Sequence, residues 1–275
     1  MVSLHVKIKL LYCLILTATA LLPSCSALKS TKQSRAATIK VMSYNVHHCN
    51  PPAKNGVIDI DAIASVINNA KPDIVGLQEI DVNTGRSGKD VNQAEQLAKK
   101  TGMYFFFGKA IDHDGGEYGI AILSKFPIGE TKVYSLSNVP GVKGEPRVLV
   151  TAKLQLPSGK QIRFGNTHLD AGKDPVIRLV QMSDINAIAV QEKLPFLITG
   201  DFNARPDSEV IELMDKVFIR SCKDCPPTIP ADNPRNSIDF IGHKTPAKLI
   251  LLKHEVISAP TASDHLPVIA EYELK

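Results

Sequence analysis

The sequence predicts an α/β fold in which two β-sheets pack face to face and helices cover their outer faces. Two observations support this prediction: apolar strand-like segments are interspersed with three or four helical patterns, and no repeat, linker or low-complexity block divides residues 38–275. We therefore predict one domain over that range. The strand-like segments span residues 39–46, 73–80, 120–128, 147–156, 161–169, 195–203, 237–242, 248–257 and 267–274.

Two of the helical patterns have clear ends. Residues 59–71 carry apolar side chains on one stripe and stop before Pro72, which cannot continue a helix. Residues 91–102 end on Gly102, the residue type that most often follows a helix. These patterns predict amphipathic helices that each bury one face.

The third helical pattern, residues 174–193, begins with Asp174 as a capping residue and Pro175 at the first helical position. A hairpin is predicted around residues 157–160, where Pro-Ser-Gly-Lys separates two strand-like segments.

The N-terminus has the pattern of an export signal. Lys7 and Lys9 precede an uncharged run, residues 10–22, that is shorter than the roughly 20 residues a membrane-spanning helix needs. The exit, Leu-Pro-Ser-Cys, resembles the lipobox of bacterial lipoproteins, in which the cysteine becomes lipidated. We therefore predict a lipoprotein-type signal over residues 1–24 and a polar tether over 25–37, with plain signal-peptidase cleavage nearby as the alternative.

The low net charge of the mature chain argues against a protein that binds long nucleic acid. Removal of Lys7 and Lys9 with the signal lowers the formal charge from +4 to +2. The aromatic content is only 5%, and tryptophan is absent. Basic surfaces and aromatic stacking platforms, the usual means of binding nucleic acid, are therefore not apparent.

Three cysteines remain if Cys13 is cleaved off and Cys25 carries lipid. Cys222 and Cys225 form a single C-x-x-C pair, which is weak support for zinc without a second pair. A local disulfide or two free thiols are the favoured alternatives in an exported protein.

Polar residues recur where predicted strands end. Asp201 and Asn203 follow an apolar segment two residues apart, so both side chains point to the same side of an extended chain. One such site has an ordinary structural explanation, because polar residues commonly form turns. Six sites in one chain indicate a shared function. The others are Asn45, Glu79 and His168 at strand ends, Asp239 inside an apolar segment, and the pair Asp264-His265 just before the last strand.

The chemistry of these residues is consistent with one site. Carboxylate and carboxamide oxygens suit a hard divalent cation such as Mg²⁺, whereas structural zinc favours thiolates. Histidines and further aspartates beside the cation supply proton transfer and phosphate contacts. Those are the groups required for metal-assisted attack of water on a phosphoester.

The motifs SYNVHH, LQE, GIAILSKFPI, NTHLD, GDFNARP, IDF and SDHLPV resemble, in order and spacing, those of the endonuclease/exonuclease/phosphatase superfamily, which includes deoxyribonuclease I. The resemblance covers about residues 39–272, and TIPADNP is similar to a compact secreted bacterial branch. It implies a deoxyribonuclease I-like four-layer α/β/β/α sandwich with its site at one edge of the paired sheets.

The resemblance also implies roles for individual residues. Glu79 would be the chief metal ligand, with Asn45 and Asp264 near the ion. Asp201 would orient or deprotonate the attacking water, and Asn203 and His168 would contact phosphate oxygens. His265 would bind and polarise the phosphate, while Asp239 would fix the orientation and tautomer of its ring.

Substrate contacts are less well defined by the motifs. Arg147 and Arg86 would add positive charge at the rim. Ile120 stands where family members often have asparagine, and Ser237 stands where close relatives often have a basic residue. These two departures affect the expected substrate contacts and leave the metal and proton-transfer set complete.

We therefore expect an exported phosphoesterase that uses Mg²⁺, with Mn²⁺ as the alternative ion, located in the bacterial cell envelope as a lipoprotein, or secreted or periplasmic. It would be a monomer that contacts a phosphoester substrate and, through Cys25, a membrane. A small or lipid-borne phosphodiester is favoured because no basic cluster is longer than Lys99-Lys100. A non-specific endonuclease or exonuclease is the alternative. A catalytically inactive surface binding protein is disfavoured because the metal ligand and the Asp–His pair are present.

Overall fold

A computed structural model describes residues 37–54, 56–246 and 249–275. The predicted signal and nearly all of the predicted tether lie outside these residues. The described chain contains the strands β1 (Ala37–Asn45), β2 (Ile74–Val82), β3 (Tyr104–His113), β4 (Gly116–Ser124), β5 (Ile128–Ser135), β6 (Val148–Gln155), β7 (Gln161–His168), β8 (Phe196–Asp201), β9 (Phe218–Arg220), β10 (Asp239–Lys244), β11 (Leu249–Val256) and β12 (Val268–Leu274). Its α-helices are α1 (Ile60–Ala70), α2 (Gln93–Thr101), α3 (Val176–Gln191) and α4 (Glu209–Asp215).

The strands form two six-stranded sheets. The first has the order β11-β12-β1-β2-β4-β3, and the second has the order β5-β6-β7-β8-β10-β9. Each sheet has one parallel pair at its centre, β1 with β2 and β7 with β8. The carboxyl ends of these pairs are the positions where polar side chains follow apolar strands.

The two sheets pack face to face through an apolar core. Residues from both sheets fill it, including Val41, Ile122, Val150, Phe164 and Tyr272, all essentially inaccessible to solvent. Ile120, noted above as a departure from the family pattern, lies in this core. An apolar residue at that position therefore packs between the sheets.

Helices cover both outer faces. Ile63 and Ile67 of α1 and Leu97 of α2 pack on the first sheet, and Met182 of α3 and Ile211 of α4 pack on the second. The predicted sandwich of two sheets between helical layers is confirmed.

The helix ends largely match the sequence prediction. The Asp59 side chain accepts a hydrogen bond from Ala62 N at the start of α1, and Gly102 ends α2 in a left-handed conformation. The prediction was wrong by one position for α3: its capping position is Pro175, although the Asp174 carboxylate still accepts from Val176 N at 2.9 Å.

Several elements were not predicted. Strands β3 and β5 each lie at one edge of their sheet, β9 has three residues and α4 has seven. The predicted segment 120–128 also ends early, at Ser124. The hairpin at 157–160 is confirmed by the pairing of Gln155 with Gln161.

A disulfide joins Cys222 and Cys225, one of the two alternatives left open by the sequence. Within the described ranges, no helix has both the length and the apolar character needed to cross a membrane.

Candidate active site

The polar strand ends meet at one edge of the sandwich. In the first sheet, Asn45 ends β1 and Glu79 lies in the neighbouring strand β2. In the second sheet, His168 ends β7 and Asp201 ends the neighbouring strand β8. Asp239 begins β10 and pairs directly with Asp201 across the sheet. The topology thus gathers residues that are far apart in the sequence.

Asn45 connects the two sheets at this edge. Its amide nitrogen donates to Glu79 Oε1 and to Asp201 Oδ2, both at 3.0 Å. Its amide oxygen accepts from the backbone nitrogen of His47 at 3.0 Å. Because both sides of the amide are engaged, Asn45 holds the two carboxylates at a fixed separation.

A β-bulge directs Glu79 to the site. The register between β2 and β4 shifts between Leu77 and Ile80, and Glu79 has a φ of 59°. A bulge re-aims side chains that would otherwise alternate between the faces of a strand. Here Gln78 turns between the sheets, where it donates to Asn166 Oδ1 at 2.7 Å, while Glu79 reaches Asn45.

Asp201 is held from its other side by Asn203. The Asn203 backbone nitrogen donates to Asp201 Oδ1 at 2.9 Å, and its amide nitrogen donates to Leu169 O at 3.0 Å. This turn requires a φ of 47° at Asn203, a conformation that asparagine tolerates better than most residues. The two predicted residues therefore lie side by side at the strand end.

His265 and Asp239 form a buried pair. His265 Nδ1 lies 2.9 Å from Asp239 Oδ2, which also accepts from the Thr228 hydroxyl at 2.5 Å. Burial lowers the pKa of His265, but the charge of Asp239 and this hydrogen bond outweigh burial and raise it to about 10. The opposite ring nitrogen, Nε2, lies 3.7 Å from Asp201 Oδ2. The ring is therefore protonated and directed at Asp201.

His168 has the opposite character. Its Nδ1 lies 3.2 Å from Arg147 Nη1 and must accept, because a guanidinium only donates. Burial and the charge of Arg147 hold the pKa of His168 well below its usual value. The neutral ring then carries its hydrogen on Nε2, which lies 3.6 Å from Asp201 Oδ2. The two histidines thus approach the same carboxylate oxygen, one charged and one neutral.

Burial and the nearby charge of Asp239 raise the pKa of Asp201 to about 7. By contrast, the pKa of Glu79 is held well below its usual range: burial raises it, but contacts with His48 and Asn45 and the positive charge of His265 prevail. The two carboxylates therefore differ in proton affinity although one amide touches both. Such a separation is common where acid and base roles are divided.

Asp264 lies near the end of β1. The hydroxyl of Ser263 donates to Asn45 O at 2.7 Å and lies 3.4 Å from Asp264 Oδ1. One serine therefore connects the segment before β12 to the end of β1.

The two arginines lie in different environments. Arg86 grips the buried Asp81 carboxylate with two hydrogen bonds of 2.7 and 2.8 Å and borders an open pocket. Arg147 is only 6% exposed and lies between His168 and Glu145. The prediction that Arg147 adds charge at the rim was wrong, because its guanidinium is enclosed behind His168.

The donor set suits a hard cation. Glu79 presents a partly exposed carboxylate to the pocket, and the Asn45 amide lies against it. Asp201, Asp239 and His265 also bring three ligand-type atoms within 4.8 Å of one another. In that second group, however, the His265 ring is protonated and donates to Asp239 from Nδ1, so it has no free lone pair for a metal ion. Glu79 is therefore the better candidate ligand.

Sequence reasoning missed two parts of the site. One is the network between the sheets, in which Gln78 Nε2 and Thr199 Oγ1 both donate to Asn166 Oδ1. The other is the pocket beside Glu79, whose lining includes His47 and His48. These histidines belong to the SYNVHH motif, but the motif alone gave them no role.

Comparisons with known proteins identify the family of this chain and several similar proteins. The family model described as Endonuclease/Exonuclease/phosphatase matches residues 42–265. The uncharacterized protein YbhP of Escherichia coli K12 is 27% identical over 267 residues, a match that covers 88% of this chain and 99% of that protein.

Two further similarities involve named enzymes. Inositol phosphosphingolipids phospholipase C of Schizosaccharomyces pombe is 31% identical over 198 residues, which cover 66% of this chain and 44% of that protein. The solved structure of a mannosyl-6-phosphatase of Bacteroides thetaiotaomicron has a TM-score of 0.69 at 21% identity and covers 85% of this chain and 99% of its own. At that identity the structure shows a shared fold.

Proposed function

The chain belongs to the Endonuclease/Exonuclease/phosphatase family, and from this premise we propose that it is a Mg²⁺-dependent hydrolase of a small or lipid-borne phosphodiester. One observation supports the proposal above all. Asn45 ties the carboxylate of Glu79 to that of Asp201, while the Asp239–His265 pair points at the same oxygen of Asp201.

Glu79 would hold the cation, with Asn45 and Asp264 beside it. A bound Mg²⁺, or Mn²⁺ as the alternative, supplies a Lewis acid that stabilises negative charge on phosphoryl oxygens. The depressed pKa of Glu79 keeps its carboxylate ionised for this purpose.

The remaining residues would move protons and orient phosphate. Asp201, with a pKa raised to about 7, would accept a proton from the attacking water. His265 Nε2 and His168 Nε2 would donate to phosphate oxygens, one from a charged ring and the other from a neutral ring. Asn203 would contact another phosphate oxygen. Together these groups support in-line attack of water on phosphorus.

The preference for a small or lipid-borne substrate rests on size, charge and one relative. The pocket beside Glu79 has a volume of about 230 Å³, which suits one head group better than a duplex. The net charge of the predicted mature chain is low for a protein that binds many phosphates at once. The similar protein from Schizosaccharomyces pombe is named as a phospholipase C. A non-specific nuclease is the second candidate.

The test compares substrates at one salt concentration. Catalytic efficiency would be measured on sphingomyelin vesicles, phosphoinositide vesicles, RNA and plasmid DNA in about 0.15 M salt, where weak phosphate contacts are largely screened. We expect hydrolysis of a lipid head-group diester that chelation abolishes and Mg²⁺ restores. The variant His265→Ala should lose it, and Asp61→Asn, an exposed change on α1, should retain it. Efficient plasmid nicking with no lipid hydrolysis would contradict the substrate proposal.

A further inference from the structure

A pocket of about 230 Å³ adjoins Glu79 outside the cluster around Asp201. It is open to solvent, and Glu79 forms part of its wall. Its lining residues are His47, His48, Glu79, Arg86, Ile111, His113, Tyr118 and Glu145.

An unusual turn brings two of the histidines to this pocket. His47, His48 and Cys49 have φ values of 47°, 43° and 58°, so three consecutive non-glycine residues adopt a left-handed conformation. Surrounding contacts impose this turn: Gln93 Nε2 donates to His48 O at 2.7 Å, and Asn50 Nδ2 donates to Val57 O at 2.8 Å. A conformation that is costly and yet so well supported indicates a functional position.

Arg86 is also held in a fixed orientation. Its Nε and Nη2 donate to the buried Asp81, which also accepts from Thr84 and Ser87. The guanidinium lies 5.6 Å from the centre of the Tyr118 ring. The side chain is about one third exposed, so part of the guanidinium remains available at the pocket in a constant orientation.

The lining offers both donors and acceptors. Arg86 donates, and Glu145 accepts. His47 Nδ1 lies 2.9 Å from Asn50 O, so that ring nitrogen is already engaged with the backbone. A second phosphate would be repelled by Glu145, and an apolar chain would leave these groups unpaired. Hydroxyl groups satisfy both kinds of partner because each can donate and accept.

We propose that this pocket is a subsite for a polyhydroxylated ring, a sugar or cyclitol, attached to the phosphate that is hydrolysed. The inference rests on the proposed function, since the phosphate would be held at Glu79. Ile111 and Tyr118 in the lining would supply apolar contacts for the C–H groups of such a ring. Arg86 and His113 would be specificity-determining residues.

Two phosphodiesters with the same leaving group test the subsite by turnover. One is methyl p-nitrophenyl phosphate, and the other carries glucose through its 6-hydroxyl in place of methyl. We expect the purified protein with Mg²⁺ to prefer the glucose ester by at least about tenfold in kcat/KM, because a site that hydrogen-bonds hydroxyls rejects an analogue lacking them. The preference should fall towards one in Arg86→Lys, which keeps the charge beside Asp81 but loses the planar fork.

His113→Ala should reduce the preference as well, whereas the matched control His254→Ala should leave it at the wild-type value. His254 lies on β11 and contacts Ser221, away from the pocket lining. Equal kcat/KM for the two esters in the wild type would overturn the proposal.

Calorimetric binding separates this inference from the proposed function. The variant His265→Ala would be titrated with dimethyl phosphate and with the methyl phosphodiester of glucose at its 6-hydroxyl. Tighter binding of the glucose ester that is lost on adding His113→Ala supports the subsite. This holds even if neither chromogenic ester is hydrolysed, because absence of hydrolysis contradicts only the proposed function. Equal binding of the two esters overturns the subsite.

Discussion

At the scale of single residues, Asp201 is the most constrained group of the candidate site. It accepts from Asn45 and Asn203 through different oxygens, and two histidine nitrogens lie within 3.7 Å of its Oδ2. The contacts fix its position, while burial and Asp239 raise its pKa. A carboxylate held in place with a proton affinity near neutrality suits a general base.

Asp201→Asn should therefore lower kcat by about 10²–10⁴-fold, the usual loss when a positioned acid–base group is removed. The asparagine keeps the shape of the side chain, so circular dichroism should show an unchanged fold. Asp61→Asn makes the same chemical change on an exposed helix and should retain full activity. Full activity in Asp201→Asn would exclude the proposed role.

Glu79→Gln should raise the Mg²⁺ concentration needed for half-maximal activity by at least about 10–100-fold, because loss even of a group that only supports a metal ligand has an effect of that size. The measurement is a Mg²⁺ titration of activity on the diester that the wild type hydrolyses. An unchanged midpoint would remove Glu79 from the metal site.

At the scale of elements, short irregular segments position the site, and the regular strands support them. The bulge at Glu79, the left-handed turn at residues 47–49 and the turn at Asn203 all use positive φ. Each such residue costs roughly 1–2 kcal/mol in a chain of L-amino acids. The intervening strands are long, apolar and paired on both sides, and they supply the stability that offsets this cost.

The contrast between regular strands and irregular segments explains which features could be predicted from the sequence. Buried strands such as β2 and β8 were recognised from their apolar runs, and the polar residues at their ends were recognised with them. Edge strand β5, IGETKVYS, is half polar and exposed, so it has no such run. The burial of Arg147 and the hydrogen bond between Gln78 and Asn166 depend on contacts with other strands, and no local sequence pattern encodes such contacts.

Gly76 allows the close approach of the two sheets behind Glu79. A Cβ there would lie 2.0 Å from Thr199 Oγ1 and 2.7 Å from Asn166 Oδ1. Gly76→Ala should lower the free energy of unfolding by about 1–3 kcal/mol through overpacking, measured by urea denaturation. Gly129→Ala is the matched control, since its nearest contact would be Lys153 O at 3.8 Å. Equal stability of the two variants would contradict the packing described here.

At the scale of the whole molecule, two sheets that each have a central parallel pair place four strand ends at one edge. We propose that the folded domain spans residues 38–275 and follows a signal at 1–24 and a tether at 25–37. The residues of the site come from both sheets. The candidate site therefore depends on the packing of the complete sandwich.

The proposed lipid attachment at Cys25 predicts the behaviour of the intact protein in a bacterial host. Cys25→Ser should move the protein from the membrane fraction to the soluble fraction, because the rest of the chain would lose its anchor. Fractionation followed by immunoblotting measures this change, and the exposed substitution Asp61→Asn serves as the control. Intact-mass measurement showing an unmodified N-terminus at another residue would contradict the proposal.

Crystallography of the protein soaked with Mn²⁺ tests the central claim most directly, because anomalous scattering locates the ion. We predict one ion bound by the Glu79 carboxylate, with the polar heads of Asp201, Asp239 and His265 all within roughly 8–10 Å of it, close enough to leave room for one water and one phosphate. An ion bound elsewhere, or any of these four side chains beyond that distance, would contradict the account.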